Sequence, residues 1–132
     1  MIIETDAYRD LLKTELELFK TAEDLADTNK RYAVKCGILV VKGSQIICGN
    51  LANFRASTYN TEQHFHPEMT ILDMYSLETE DLSLYISKRS LRGDNYPSRP
   101  CVKCMKQILL AEEITSIYYR NDKLRIVKEV LR

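Results

Sequence analysis

His64-Phe65-His66-Pro67-Glu68-Met69-Thr70 and Tyr96-Pro97-Ser98-Arg99-Pro100-Cys101-Val102-Lys103-Cys104 bracket the stretch on which the reading of this chain turns. His66 and Glu68 stand one residue apart, and Cys101 and Cys104 form a C-x-x-C pair behind a proline. One imidazole and two thiolates suit Zn²⁺, and three protein ligands leave the fourth tetrahedral position open for water. Glu68 is not needed as a ligand, which leaves it available to move protons. Pro67 suits the first position of a helix, where its missing N–H would go unpaired anyway. A proline also steers the residue before it out of the α region, so His66 is the expected N-cap, directed off the helix end. Pro100 is expected to open a second helix that carries Cys101 and Cys104, at i and i+3, on one face of its first turn. A helix N-terminus lowers a thiol's pKa, and a metal lowers it further. Two helix starts thus converge on one ion.

Each half also has an ordinary reading. H-x-E alone fits a surface histidine beside an acidic helix start, and C-x-x-C alone fits a redox pair. The redox reading wants a strand directly before the first cysteine, whereas Gly93, Asp94, Asn95, Pro97 and Pro100 spell a loop. The chain has 132 residues, enough for one domain over 1–132 with a single buried core. With 45% hydrophobic and 29% charged residues, the composition is that of a soluble globular protein. The formal net charge of zero argues against a strong, non-specific polyphosphate binder. Met1-Ile2-Ile3-Glu4-Thr5-Asp6 shows no cationic region followed by an apolar run, so no signal peptide is read. No apolar run approaches membrane-spanning length. A reducing, cytoplasmic compartment is expected, with the cysteines as thiols or ligands.

Taken in order, residues 5–28 read as helical, with a break near Lys13–Glu15 and Asp6 as the cap. Leu16 to Ala26 is the half expected to pack on a sheet, with the preceding turns as an added arm. Tyr32–Val41 and Gln45–Cys48 read as a hairpin around Lys42-Gly43-Ser44. Cys36 and Cys48, on those strands, are expected as packed thiols. Gly49 to Phe65 is a polar connection whose Asn50 and Asn53 are candidate substrate contacts. A helix is expected from Pro67 to about Leu77, apolar nearly all round, as suits burial against a sheet. Leu82–Ser87 reads as a central strand, and Lys88–Arg99 as a loop in which Lys88, Arg89, Arg92 and Arg99 concentrate positive charge. A helix over Cys101–Ala111 and a strand over Ile114–Arg120 follow. A parallel neighbour for that strand would need a crossover longer than the remaining chain allows, so a fifth strand pairs antiparallel, turning at Asn121-Asp122-Lys123. That hairpin is expected over a helix capped by Asp122.

This order of elements, with H-x-E … P-C-x-x-C, resembles the cytidine deaminase superfamily over nearly the whole chain after residue 15. Ser98-Arg99-Pro100-Cys101-Val102-Lys103-Cys104 through Leu109, with Ile114-Thr115-Ser116-Ile117-Tyr118-Tyr119-Arg120, resembles the compact cytidine and deoxycytidylate deaminase-like proteins of phages and large viruses. The resemblance implies an α/β protein, a three-layer α/β/α fold with a mixed, mainly five-stranded sheet. It implies zinc on His66, Cys101 and Cys104, with Glu68 shuttling protons while an activated water attacks C4 of cytosine and ammonia leaves. Two departures stand out. The family usually places a small residue, whose backbone N–H bonds the base, where this chain has Pro67, which lacks that N–H. The family's G-x-N after the second strand is here Gly49-Asn50-Leu51-Ala52-Asn53, so either Asn50 or Asn53 fits the role.

Three functions compete. The first is a zinc hydrolase that deaminates cytosine in a small-molecule nucleoside or nucleotide. The second acts on single-stranded nucleic acid or tRNA, for which Tyr59, Tyr96, Tyr118 and Tyr119 would supply stacking surfaces. The third is a non-catalytic zinc-binding relative, for which Pro67 is the support. No membrane partner is expected, and a homo-oligomer is left open.

Overall fold

The computed structural model describes residues 2–4, 11–27, 34–49, 81–90 and 92–132. They form a mixed α/β structure with two helices and one sheet. The strands are β1 (Ile2–Glu4), β2 (Val34–Lys42), β3 (Gln45–Gly49), β4 (Leu82–Ser90), β5 (Asn95–Tyr96), β6 (Ile114–Arg120) and β7 (Ile126–Val130). The helices are α1 (Lys13–Asp27) and α2 (Val102–Leu110). The spatial order is β1-β7-β6-β4-β2-β3, with the short β5 beside β4. Among the described strands only β4 and β6 pair in parallel, and α2 is the crossover between them; the other pairs are antiparallel. The sheet is therefore larger than the five strands expected. Ile2–Glu4 is too short for alternation to show, and β5 lies in the segment read as a loop.

The hairpin β2–β3 forms as expected. Lys42 pairs with Gln45 around a two-residue loop, and Gly43 takes a φ of 63° at its first position. That is the conformation glycine adopts without a Cβ penalty in a tight hairpin. The C-terminal hairpin also forms, with Arg120 opposite Ile126. Asn121 organises its turn: Oδ1 accepts the N–H groups of Lys123 and Arg125 at 2.9 and 3.1 Å. The helix read over 5–28 begins only at Lys13, and residues 5–10 lie outside the described ones. The expected break near Lys13–Glu15 is the helix start. Glu15 reaches back to accept the Leu12 N–H at 2.8 Å, which is half of a capping box.

Strand alternation divides the core between the two faces. Leu39, Val41, Tyr85, Tyr118 and Ile126 pack with Leu18, Phe19 and Ala22 of α1. Ile38, Val40, Leu84, Ile86, Ile117, Tyr119 and Val127 pack with Met105 and Ile108 of α2. Among the described residues, one helix thus covers each face. A fully buried aliphatic or aromatic side chain contributes about 1.5–3 kcal/mol. α1 lies unusually close to β2 at Gly37, where a Cβ would fall 2.1 Å from the Ala22 carbonyl oxygen.

β4 runs three residues past the expected Leu82–Ser87, because β2 pairs with it through Val34↔Ser90. Arg89 consequently lies in the sheet and points to α1. Its guanidinium meets Glu23 at 3.2 Å and Asp27 at 3.1 Å. The strand reading missed this because Lys-Arg-Ser looks like a solvated loop unless the acids on α1 are known. Among the described residues, no helix is long and apolar enough to cross a membrane.

Candidate functional site

The cysteine half of the motif sits at the start of α2. Cys101 is the N-cap, with φ −66° and ψ 169°, and its carbonyl accepts the Met105 N–H at 2.8 Å. The helix begins at Val102, so Pro100 stands just before the cap and not inside the first turn as expected. Steric restriction by Pro100 acts on Arg99, while Cys101 takes the extended conformation that an N-cap requires. Cys104 then occupies the third helical position. Cys101 is exposed and Cys104 is fully buried. The two cysteines therefore stand at one helix end, Cys101 accessible and Cys104 covered.

That end lies at the carboxyl ends of the parallel pair. β4 and β6 align Tyr85 with Tyr118, and the chain leaving β4 reaches Cys101 through the β5 hairpin. In open α/β sheets, ligands collect outside the carboxyl ends of such strands. β3 runs in the same direction as β4, since both are antiparallel to β2. Gly49 and Tyr85 both face Leu39, so the chain leaves β3 two strand spacings from β4, about 10 Å.

Three residues lead into Cys101, and each is held. Ser98 is buried between β4 and β6. Arg99 pairs with Glu129 at 3.3 Å and lies over the Tyr119 ring at 5.9 Å. Pro100 is buried. Tyr119 donates to Glu129 at 2.8 Å, and burial together with that bond pushes its hydroxyl up to about 12. Arg132 closes the other end of α2: it donates to the carbonyls of Leu109 at 3.1 Å, Ala111 at 2.9 Å and Ile114 at 3.0 Å. Helix C-termini leave such carbonyls unsatisfied and favour a cation. Neither Ser98 nor Arg132 stood out in the sequence, because their partners lie 12 to 24 positions away.

Several expected features change on inspection. The cationic loop is a short hairpin with Lys88–Ser90 inside β4, and two of its four cations, Arg89 and Arg99, are paired with carboxylates. Tyr118 and Tyr119 are buried, so neither offers a stacking surface; Tyr96 is exposed. The segment before Cys101 contains the two-residue β5, yet Pro97 to Pro100 still separates that strand from the cysteine. Cys36 is buried on β2, as expected for a packed thiol.

His66, Pro67, Glu68, Asn50, Asn53 and Tyr59 lie outside the described residues, as does the helix expected over 67–77. Among the described residues no three of His, Cys, Asp or Glu gather as a metal site; Cys101 and Cys104 supply two donors. Two thiols beside a helix N-terminus are donors that suit zinc. No family model, curated protein or solved structure matches the chain.

Proposed function

We propose that this chain is a zinc-dependent hydrolytic deaminase of the cytidine deaminase superfamily, converting cytosine to uracil in a free nucleoside or nucleotide. The observation that carries the reading is the placement of Cys101 and Cys104 at one helix start, at the carboxyl ends of β4 and β6, within an H-x-E … P-C-x-x-C sequence. The arrangement of helices on both faces of a mixed sheet suits the three-layer fold that this family implies. Topology supports the missing half. The connection from β3 to β4 joins strands of the same direction and moves across the sheet the same way as the α2 crossover. The H-x-E half of the sequence thus falls in one crossover and the C-x-x-C half in the next.

In this reading His66, Cys101 and Cys104 hold Zn²⁺, which when bound lowers the pKa of water toward neutrality. Glu68 would relay the two protons of the attacking water, one to the cytosine ring and one to the departing amine. Asn50 or Asn53 orients the substrate, because Pro67 offers no N–H. A small-molecule substrate is favoured over a polymer by zero net charge and by the burial of Tyr118 and Tyr119. No observation favours the non-catalytic reading beyond Pro67.

The test is elemental analysis with an ammonia-release screen on cytosine and adenine compounds. One zinc per chain is expected, lost in Cys101→Ala/Cys104→Ala. Glu68→Ala should keep zinc and lose at least about 10²-fold in activity. A zinc-free wild type, or a Glu68→Ala variant that turns over normally, would refute the reading.

A further inference from the structure

The geometry points to Ser98 as the residue that positions the cysteine pair for metal, a role that rests on the zinc reading above. The register between β4 and β6 ends at Tyr85↔Tyr118, and beyond that rung the two strands are joined through Ser98. Its N–H donates to the Arg120 carbonyl at 2.9 Å. Its Oγ donates to the Ile86 carbonyl at 2.8 Å and accepts the Arg120 N–H at 2.9 Å. Ser98 is 0% exposed, so no solvent competes for these bonds.

One side-chain atom here does the work of a ladder rung. A hydroxyl both donates and accepts, so it satisfies an acceptor on β4 and a donor on β6 at once. Alanine would leave the Ile86 carbonyl and the Arg120 N–H without that partner in a buried place. The bonds also fix where the chain stands three residues before Cys101. Arg99 is tied to Glu129, and Pro100 has a fixed φ, so little torsional freedom remains between Ser98 and the N-cap. Cys104 is buried in the packing of α2, and Cys101 stands exposed at its N-cap, three residues after Ser98. Ser98 therefore sets the position of the outer thiol relative to the inner one.

Ser83 provides the control. Its hydroxyl meets that of Ser116 at 2.8 Å across the same two strands, at the end away from Cys101. Zinc affinity, by competition with a chromogenic chelator, and thermal stability of the zinc-free chain are measured for wild type, Ser98→Ala, Ser98→Thr and Ser83→Ala. Ser98→Ala is expected to weaken zinc binding about ten-fold or more, the scale seen for residues that orient metal ligands. Ser83→Ala should lower stability and leave zinc affinity unchanged, and Ser98→Thr, which keeps the hydroxyl, should bind close to wild type. Unchanged affinity in Ser98→Ala, an equal loss in Ser83→Ala, or a folded Ser98→Thr as weak as Ser98→Ala overturns the role of Ser98 alone. A wild type that holds no zinc overturns the metal reading and this role with it.

Discussion

On the α1 side of the sheet, polar atoms run through the packing; on the α2 side the packing is mainly aliphatic, with Tyr119 the aromatic exception, and the polar ties gather towards the helix ends. Glu15 caps α1, accepts the Tyr118 hydroxyl and lies 3.6 Å from Lys128. Tyr118 stacks on Tyr85 with ring centroids 4.0 Å apart. Further along α1, Glu23 joins Arg89 and Arg120, and Arg120 lies 5.6 Å over the Phe19 ring. Under α2 the contacts are Ile38, Val40, Leu84, Ile86, Ile108 and Ile117, with Arg132 at one end and Ser98 just before the other. The difference teaches how the molecule divides its tasks. α1 is fastened along its length and serves as scaffold. α2 is fastened at its ends, and one of those ends is the turn bearing Cys101 and Cys104.

The contrast breaks most severely at Gly37. Gly37→Ala forces a Cβ onto the backbone of α1, and urea unfolding should show a loss of about 3 kcal/mol or more, at or beyond the upper range of overpacking. A loss under about 1 kcal/mol would mean that α1 shifts freely and is no scaffold. Glu23→Ala comes next, leaving Arg89 and Arg120 without their shared carboxylate. Removing one partner of a buried pair costs about 3–5 kcal/mol, and the residual exposure here brings the expectation to about 2–3. Both variants should retain the zinc affinity of wild type while folded. Arg132→Ala is smaller, about 1–2 kcal/mol, since the carbonyls it leaves are partly reached by water.

The smallest effect at neutral pH is the tyrosine contribution, which appears only in alkali. Burial pushes Tyr85 up to about 12 and raises Tyr118 further, with donation to Glu15 adding to the shift. A raised folded-state pKa means the unfolded chain ionises first. The stability from these rings is complete below about pH 10, the unperturbed value, and is lost as pH rises through 12. Stability measured between those limits should fall in wild type and fall less steeply in Tyr85→Phe, where Tyr118 and Tyr119 still contribute. An equal slope in the variant would show that ionisation elsewhere governs alkaline unfolding.

Local pattern made much of this architecture legible. The Gly37–Val41 run and Lys42-Gly43-Ser44 marked the first hairpin, and the turn residues Asn121-Asp122-Lys123 marked the last. Pro100 and the C-x-x-C spacing located the start of α2 to within a residue or two. What stayed hidden depends on distant partners. Arg89 reads as a loop cation until Glu23, 66 positions away, is brought beneath it. Tyr118 and Tyr119 read as surface aromatics until they are buried on opposite faces of the sheet, Tyr118 with α1 and Tyr119 in the α2 cluster. Ser98 has no pattern at all, because its meaning lies in two strand backbones that only the folded sheet places side by side.

β1 carries a consequence for the order in which the sheet is built. Its three residues pair with β7 through Ile2↔Glu129, Ile3↔Lys128 and Glu4↔Val127, the longest sequence separation in the sheet. Contacts so remote require the intervening chain to be ordered first, so this pair is the expected last step of assembly. It is likewise the expected first to open, with backbone amides that exchange soonest. When it opens, the strand left at the margin carries Lys128 and Glu129, and a charged margin resists joining a second molecule edge to edge. The protein thus sheds its loosest strand without becoming a seed for aggregation.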